Sequence, residues 1–179
     1  MKKIYVLLTM LAVSFSHAQD KMITKTGKIT FEASVPAFEE VKAKNEGVTC
    51  VLNSKTGEIA SLALIKGFRF KLALMEEHFN ENYINSDSYP KATFKGKIEN
   101  FDSASLTSTA KDYTIKGKLE LHGKTNEVTA VAKIRKVEGG TEIITNFSVN
   151  ANDYNIAIPA VVKSKVSNKV KVKAEFVVK

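Results

Sequence analysis

Hydrophobic and polar residues alternate with a period of two through most of this chain. In YTIKGKLEL (113–121), Tyr113, Ile115, Gly117, Leu119 and Leu121 share one face, and Thr114, Lys116, Lys118 and Glu120 share the other. VKVKAEFVVK, at the C-terminal end, sets Val170, Val172, Ala174, Phe176 and Val178 against Lys171, Lys173 and Glu175. The same alternation places Ile29, Phe31, Ala33 and Val35 together, and Ala92, Phe94, Gly96 and Ile98 together. One apolar and one charged face define strands of an antiparallel sheet that is wet on one side only. Turn-forming clusters such as Asn53-Ser54-Lys55-Thr56-Gly57, His122-Gly123-Lys124 and Glu138-Gly139-Gly140 separate these runs. They divide the chain into about eight strands, near 22–35, 47–53, 57–70, 91–101, 111–122, 126–137, 141–151 and 168–178. Such a set favours an all-β closed barrel, because closure removes every exposed edge. A two-sheet sandwich is the alternative and would hold no continuous cavity.

The two-residue period breaks in LALMEEHFNENY (72–83), where Leu72, Met75, Phe79 and Tyr83 fall close to one helical face. Glu76, Glu77, Asn80 and Glu81 lie away from it. Tyr89-Pro90 bars continuation of the helix and restarts extended chain. A short amphipathic helix is therefore expected at one end of the barrel. A second brief helix is expected in IPAVVKSKV (158–166), since proline is tolerated in a first turn.

The N-terminus follows another rule. Lys2 and Lys3 precede an apolar run from Ile4 to Phe15 that is short for a membrane span, and Ser16-His17-Ala18 supplies a small-x-small site. Residues 1–18 read as a secretory signal peptide cut before Gln19, leaving a single domain over 19–179 that is exported, periplasmic or secreted. No cysteine stands at the cleavage point to carry a lipid anchor. With Lys2 and Lys3 removed the formal charge falls from +8 to about +6. The remaining lysines alternate along strands, as on a solvated outer face and unlike a nucleic-acid patch. Cys50, the single cysteine, has no intrachain partner, and VTCVL around it predicts a buried, inert thiol. Asn146-Phe147-Ser148 matches a glycosylation sequon.

Few residues can do chemistry. Of three histidines, His78 and His122 survive leader removal. No HExxH or CxxC spacing offers a metal set, so no metal site is expected. No GxSxG, GxGxxG or GxxxxGK[ST] motif appears either. His78 beside Glu76 and Glu77 is the one candidate acid/base cluster, but neighbours on a helix point about 100° apart and orient each other poorly. His122, before Gly123, reads as a polar turn residue. No catalytic residue is assigned.

Two segments resemble a known family. LELHGKTNEV (119–128) is similar to the L-x-L-H-G-x-T-x-x-V segment of the YceI-like family, exported polyisoprenoid-binding proteins with a lipocalin-like barrel. MEEHFNENYINSDSYPKATFKG (75–96) resembles that family's histidine-containing segment leading into Y-P-x-A-x-F, through His78, Tyr83, Tyr89, Pro90, Ala92 and Phe94. Glu76-Glu77 stand where many members carry an Arg-Asp pair. The resemblance implies an eight-stranded antiparallel barrel with helical elements at its mouth. It also implies a long apolar chain held inside, from a polyisoprenoid, an isoprenoid quinone or a fatty-chain lipid, with no other cofactor.

Joined to the alternation, this gives a candidate lining of Phe31, Phe68, Leu72, Met75, Phe79 and Tyr83, continued by Phe94, Ile98, Ile115, Leu119 and Phe147. His78 and Tyr89 are candidate headgroup or rim contacts. The expected partner is a long-chain lipid, with transient membrane-surface contact and no nucleic acid. The rival reading is a self-filled barrel whose outer face binds a protein partner or a membrane surface.

Overall fold

Alternation becomes a barrel through one extra ladder. The computed structural model describes residues 20–179, so the expected leader and its cleavage site lie outside the described residues. The strands are β1 (Lys21–Ser34), β2 (Lys42–Asn53), β3 (Glu58–Leu64), β4 (Arg69–Phe70), β5 (Lys91–Ile98), β6 (Lys111–Leu121), β7 (Lys124–Val137), β8 (Gly140–Asn150) and β9 (Val166–Val178). They pair in the order β1-β9-β8-β7-β6-β5-β3-β2, and β2 returns to pair with β1. The expected closed, eight-stranded antiparallel barrel is thus observed, and the sandwich alternative is set aside. The two-residue β4 adds to the start of β2, with Ala43 opposite Phe70 and Lys44 opposite Arg69.

Where short turns were expected they form. His122 and Gly123 join β6 to β7 with φ of 50° and 70°, the two-residue left-handed hairpin that matches strand twist. Elsewhere the boundaries moved. β2 begins at Lys42, not near 47, because it pairs with β1 as far as Phe31–Ala43 and Glu32–Lys42. The expected strand 57–70 is broken by a 3₁₀ turn over Ile65–Gly67. Asn45, buried in β2, accounts for the break: its Nδ2 donates to the Leu64 carbonyl at 2.9 Å and its Oδ1 accepts from Gly47 N at 2.9 Å. The chain turns over this amide, Phe68 swings inward, and Arg69-Phe70 rejoin β2 on the same edge as β3, nearer the start of the strand.

The helical expectation was right in place and only partly in form. α1 spans Ala73–His78 and continues as a π-helical turn, Phe79–Tyr83. The brief helix after Pro159 is a 3₁₀ turn over Ala160–Val162.

One end of the barrel is packed solid. Val48, Cys50, Leu52, Ile98, Ile134 and Val178 are fully buried there. The 99–110 connection crosses this end, with Leu106 buried and the Phe101 and Tyr113 rings 6.0 Å apart. Burial pushes the Cys50 thiol up to about 12, consistent with the inert cysteine expected from VTCVL. The opposite end carries the connections 35–41, 65–90, 122–123 and 151–165.

Ile134→Ala at the packed end is expected to cost ~2–5 kcal/mol in urea unfolding, while Val131→Ala, on the exposed face of the same strand, changes stability by less than about 0.5 kcal/mol. Cys50 is expected to resist thiol alkylation at pH 8 until denaturant opens the barrel, because the thiolate that reacts forms only at strongly alkaline pH.

Candidate functional site

Above the packed end the strands enclose a cavity of about 410 Å³ that opens between the connections at the other end. Its floor is Ile59, Ile115, Ile143 and Phe176, one or more inward positions beyond the packed layer. Small residues hold the walls apart: Ser61 and Ala63 on β3, Ala92 on β5, Ala130 on β7 and Ala174 on β9 all face the lumen.

A glycine pair sets the space on one side. Gly96 and Gly117 sit directly opposite across β5 and β6, and the Phe94 ring lies over both. A Cβ on Gly117 would stand 2.6 Å from Phe94 Cζ and 2.5 Å from the Lys95 carbonyl. The ring therefore lies against the wall where any larger residue would push it across the lumen. Phe94 borders the cavity in this pose.

The facing wall is aromatic. Phe31 on β1, Phe68, Phe70 on β4 and Phe79 after α1 form one cluster with ring centroids 5.2–6.2 Å apart. Each tilted or edge-to-face pair adds about 0.5–1.5 kcal/mol beyond burial. The cluster ties α1 to the barrel although α1 itself contributes no fully buried residue. Glu76 reinforces the seat: its carboxylate accepts from Phe70 N at 3.2 Å and pairs with the Arg69 guanidinium. Glu76 is thus a tie between α1 and β4. Glu77 is exposed, and no third acidic, histidine or cysteine side chain joins His78 in a metal-sized cluster among the described residues.

Of the expected lining residues, Phe31, Phe68, Met75, Phe79, Tyr83, Phe94, Ile115, Leu119 and Phe147 border the cavity. Two do not. Ile98 is 0% exposed within the packed end, because β5 runs past the floor of the cavity before it finishes. Leu72 is 40% exposed, because it precedes the first turn of α1 in extended conformation and points out of the helical face assumed for it. Of the two rim candidates, His78 is exposed at the mouth and borders the cavity. Tyr89 does not reach it: its ring packs edge-on against His122, centroids 4.3 Å apart, and covers Gly123.

His122 is therefore more than a turn residue. Its Nδ1 lies 2.9 Å from the Tyr154 carbonyl, so the β6–β7 hairpin, the Tyr89 segment and the 151–154 turn form one braced corner of the mouth. Tyr154 is buried against the lumen, and burial holds its phenol above the ordinary value. Residues the alternation could not find complete the mouth: Phe38, Ile156, Ile158, Val162 and Lys165. All lie in connections; only IAIPAVV (156–162), an apolar run too short for a strand between turns, hinted at them.

A family model described as a YceI-like domain matches residues 11–178. The chain belongs to the YceI-like family. No curated protein matches it. Among solved structures, this YceI-like barrel is similar to Burkholderia cenocepacia BcnA, at 15% identity and a TM-score of 0.69, over 83% of this chain and 94% of that one. It is similar to a polyisoprenoid-binding domain from Saccharophagus degradans at 13% identity and a TM-score of 0.70, over 87% and 95%. A Campylobacter jejuni YceI protein follows at 16% identity and a TM-score of 0.59, over 81% and 89%. At these identities the likeness is one of fold.

His122→Ala should leave the Tyr154 carbonyl without its partner and cost about 1–3 kcal/mol, with faster amide exchange confined to 151–156 and the 85–90 segment. A global loss of protection with no local excess would contradict this placement.

Proposed function

We propose that the protein binds one long apolar chain in its barrel and carries or sequesters it without chemical change. The observation that carries this reading is the 410 Å³ apolar cavity left open above a well-packed end. Its volume lies in the range of small-molecule sites. The lining is almost wholly hydrocarbon and aromatic, with His78, Lys165 and Ser167 among its few polar members. Leaving such a space unpacked forgoes the apolar burial and packing that side chains there would supply. A barrel with a self-filled core, the rival reading, would have closed it with side chains. An occupant recovers the loss: a chain of about twenty carbons gains roughly 16 kcal/mol gross at 0.8 kcal/mol per methylene, against an association cost of about 4–15 kcal/mol.

Family membership and the polyisoprenoid-binding neighbour support an isoprenoid-type guest, with an isoprenoid quinone or fatty-chain lipid fitting the same lining. His78, which borders the cavity at its mouth, is the candidate contact for a polar headgroup while the chain lies inside. The leader-like residues 1–18 fit an exported carrier.

Native mass spectrometry of detergent-free protein, with organic extraction, is expected to find an adduct of several hundred daltons that extracts as an isoprenoid or fatty-chain lipid of unchanged mass. Ala130→Trp, which fills the lumen from β7, should abolish the adduct while the far-ultraviolet spectrum stays β-rich. A bare mass that persists after incubation with quinones and polyprenyl lipids would sink the reading.

A further inference from the structure

The mouth of the cavity is ringed by apolar side chains that point into water. Val161 is 84% exposed, Leu74 61% and Phe38 46%, and Leu72 joins them. These residues sit on three connections that the strand ladders make neighbours. Ser34, at the end of β1, pairs with Val166 at the start of β9, so the Phe38 loop stands beside the Val161 turn. Ala43, near the start of β2, pairs with Phe70 of β4, so the same loop is flanked on its other side by Leu72 and Leu74. Phe38, Val162 and Lys165 also border the cavity, so the apolar rim is continuous with the lumen.

Charge follows the same line. The segment 156–167 carries Lys163 and Lys165 and no acidic residue. Neither lysine, nor Lys71 beside Leu72, has an ion-pair partner among the described residues, whereas Lys42, Lys66 and Arg69 are paired with Glu40, Asp87 and Glu76. The rim's carboxylates, Glu39 and Glu40 on the Phe38 loop and Glu77 and Glu81 after Leu74, keep this positive charge local to the 160–165 turn.

We propose that this rim docks on an anionic phospholipid bilayer, with Val161 and Phe38 entering the headgroup layer and Lys163 and Lys165 meeting lipid phosphates. Separate apolar tips around an opening suit a fluid surface, which fills between them, and the unpaired lysines beside Val161 suit an anionic one. Docking this end sets the lumen against the acyl layer, so that an apolar chain crosses between them without entering water. The contact is independent of what the cavity holds.

The chain contains no tryptophan, which makes the contact directly readable. Full-length mature protein carrying Val161→Trp is mixed with vesicles of phosphatidylglycerol and phosphatidylcholine, and a Val131→Trp protein, labelled on the barrel wall, serves as the reference. The expected result is a blue shift and quenching by bilayer-embedded quencher at position 161 only, weakened by salt. In flotation with the otherwise native chain, Lys163→Ala with Lys165→Ala should weaken partitioning on the order of 25-fold, about fivefold per lysine. No shift at 161, an equal shift at 131, or unchanged partitioning of the double variant would each overturn the proposal.

Discussion

The β1–β2 ladder is the contact on which everything else depends. Eight strands could stack as an open sheet or split into two, and either would bring inner faces together or expose an edge. Pairing of Lys21–Glu32 with Lys42–Asn53 closes the ring and fixes its circumference. Once closed, opposite walls cannot collapse on one another, and the side-chain sizes on the inner face decide how much of the interior is filled. Closure thereby turns a question of hydrophobic burial into one of volume.

That volume is distributed unevenly. At one end β-branched and leucine side chains meet across the barrel and the 99–110 connection seals them. Toward the other end alanines, a serine and the Gly96–Gly117 pair replace them, and the tip of the Phe94 ring lies against that pair. The remaining bulk is gathered into the phenylalanine cluster under α1, which gives the mouth one stiff side without blocking it. The His122–Tyr154–Tyr89 corner gives it another. Stability is concentrated in the packed end and in these two braces, leaving the lumen open.

The barrel was legible because the period of two is enforced by water on one face and hydrocarbon on the other; no strand can slip by one residue without exchanging them. The same rule located the strand-borne lining, from Phe31 to Phe147, and its failure over 72–83 marked the short helix before Tyr89-Pro90. It failed where a residue's neighbours are set by distant chain. Asn45 gave no sign in sequence that it would capture the Leu64 carbonyl and break a strand. His122 looked like a hairpin residue and is one, yet its ring also meets Tyr89 and the 151–154 turn. Ile98 alternates correctly and still misses the cavity, because alternation tells inside from outside but not height along the barrel axis.

The chain's own pattern determined the strand count, the inward faces, the buried thiol and the absence of the usual nucleophile and nucleotide motifs, all of which are local consequences of side-chain polarity and turn geometry. Only the tertiary structure decided that the interior is hollow, where along the axis the hollow begins and which connections ring its mouth. Those properties are differences between an enclosed volume and the side chains that enter it from every strand at once. No single segment contains that sum.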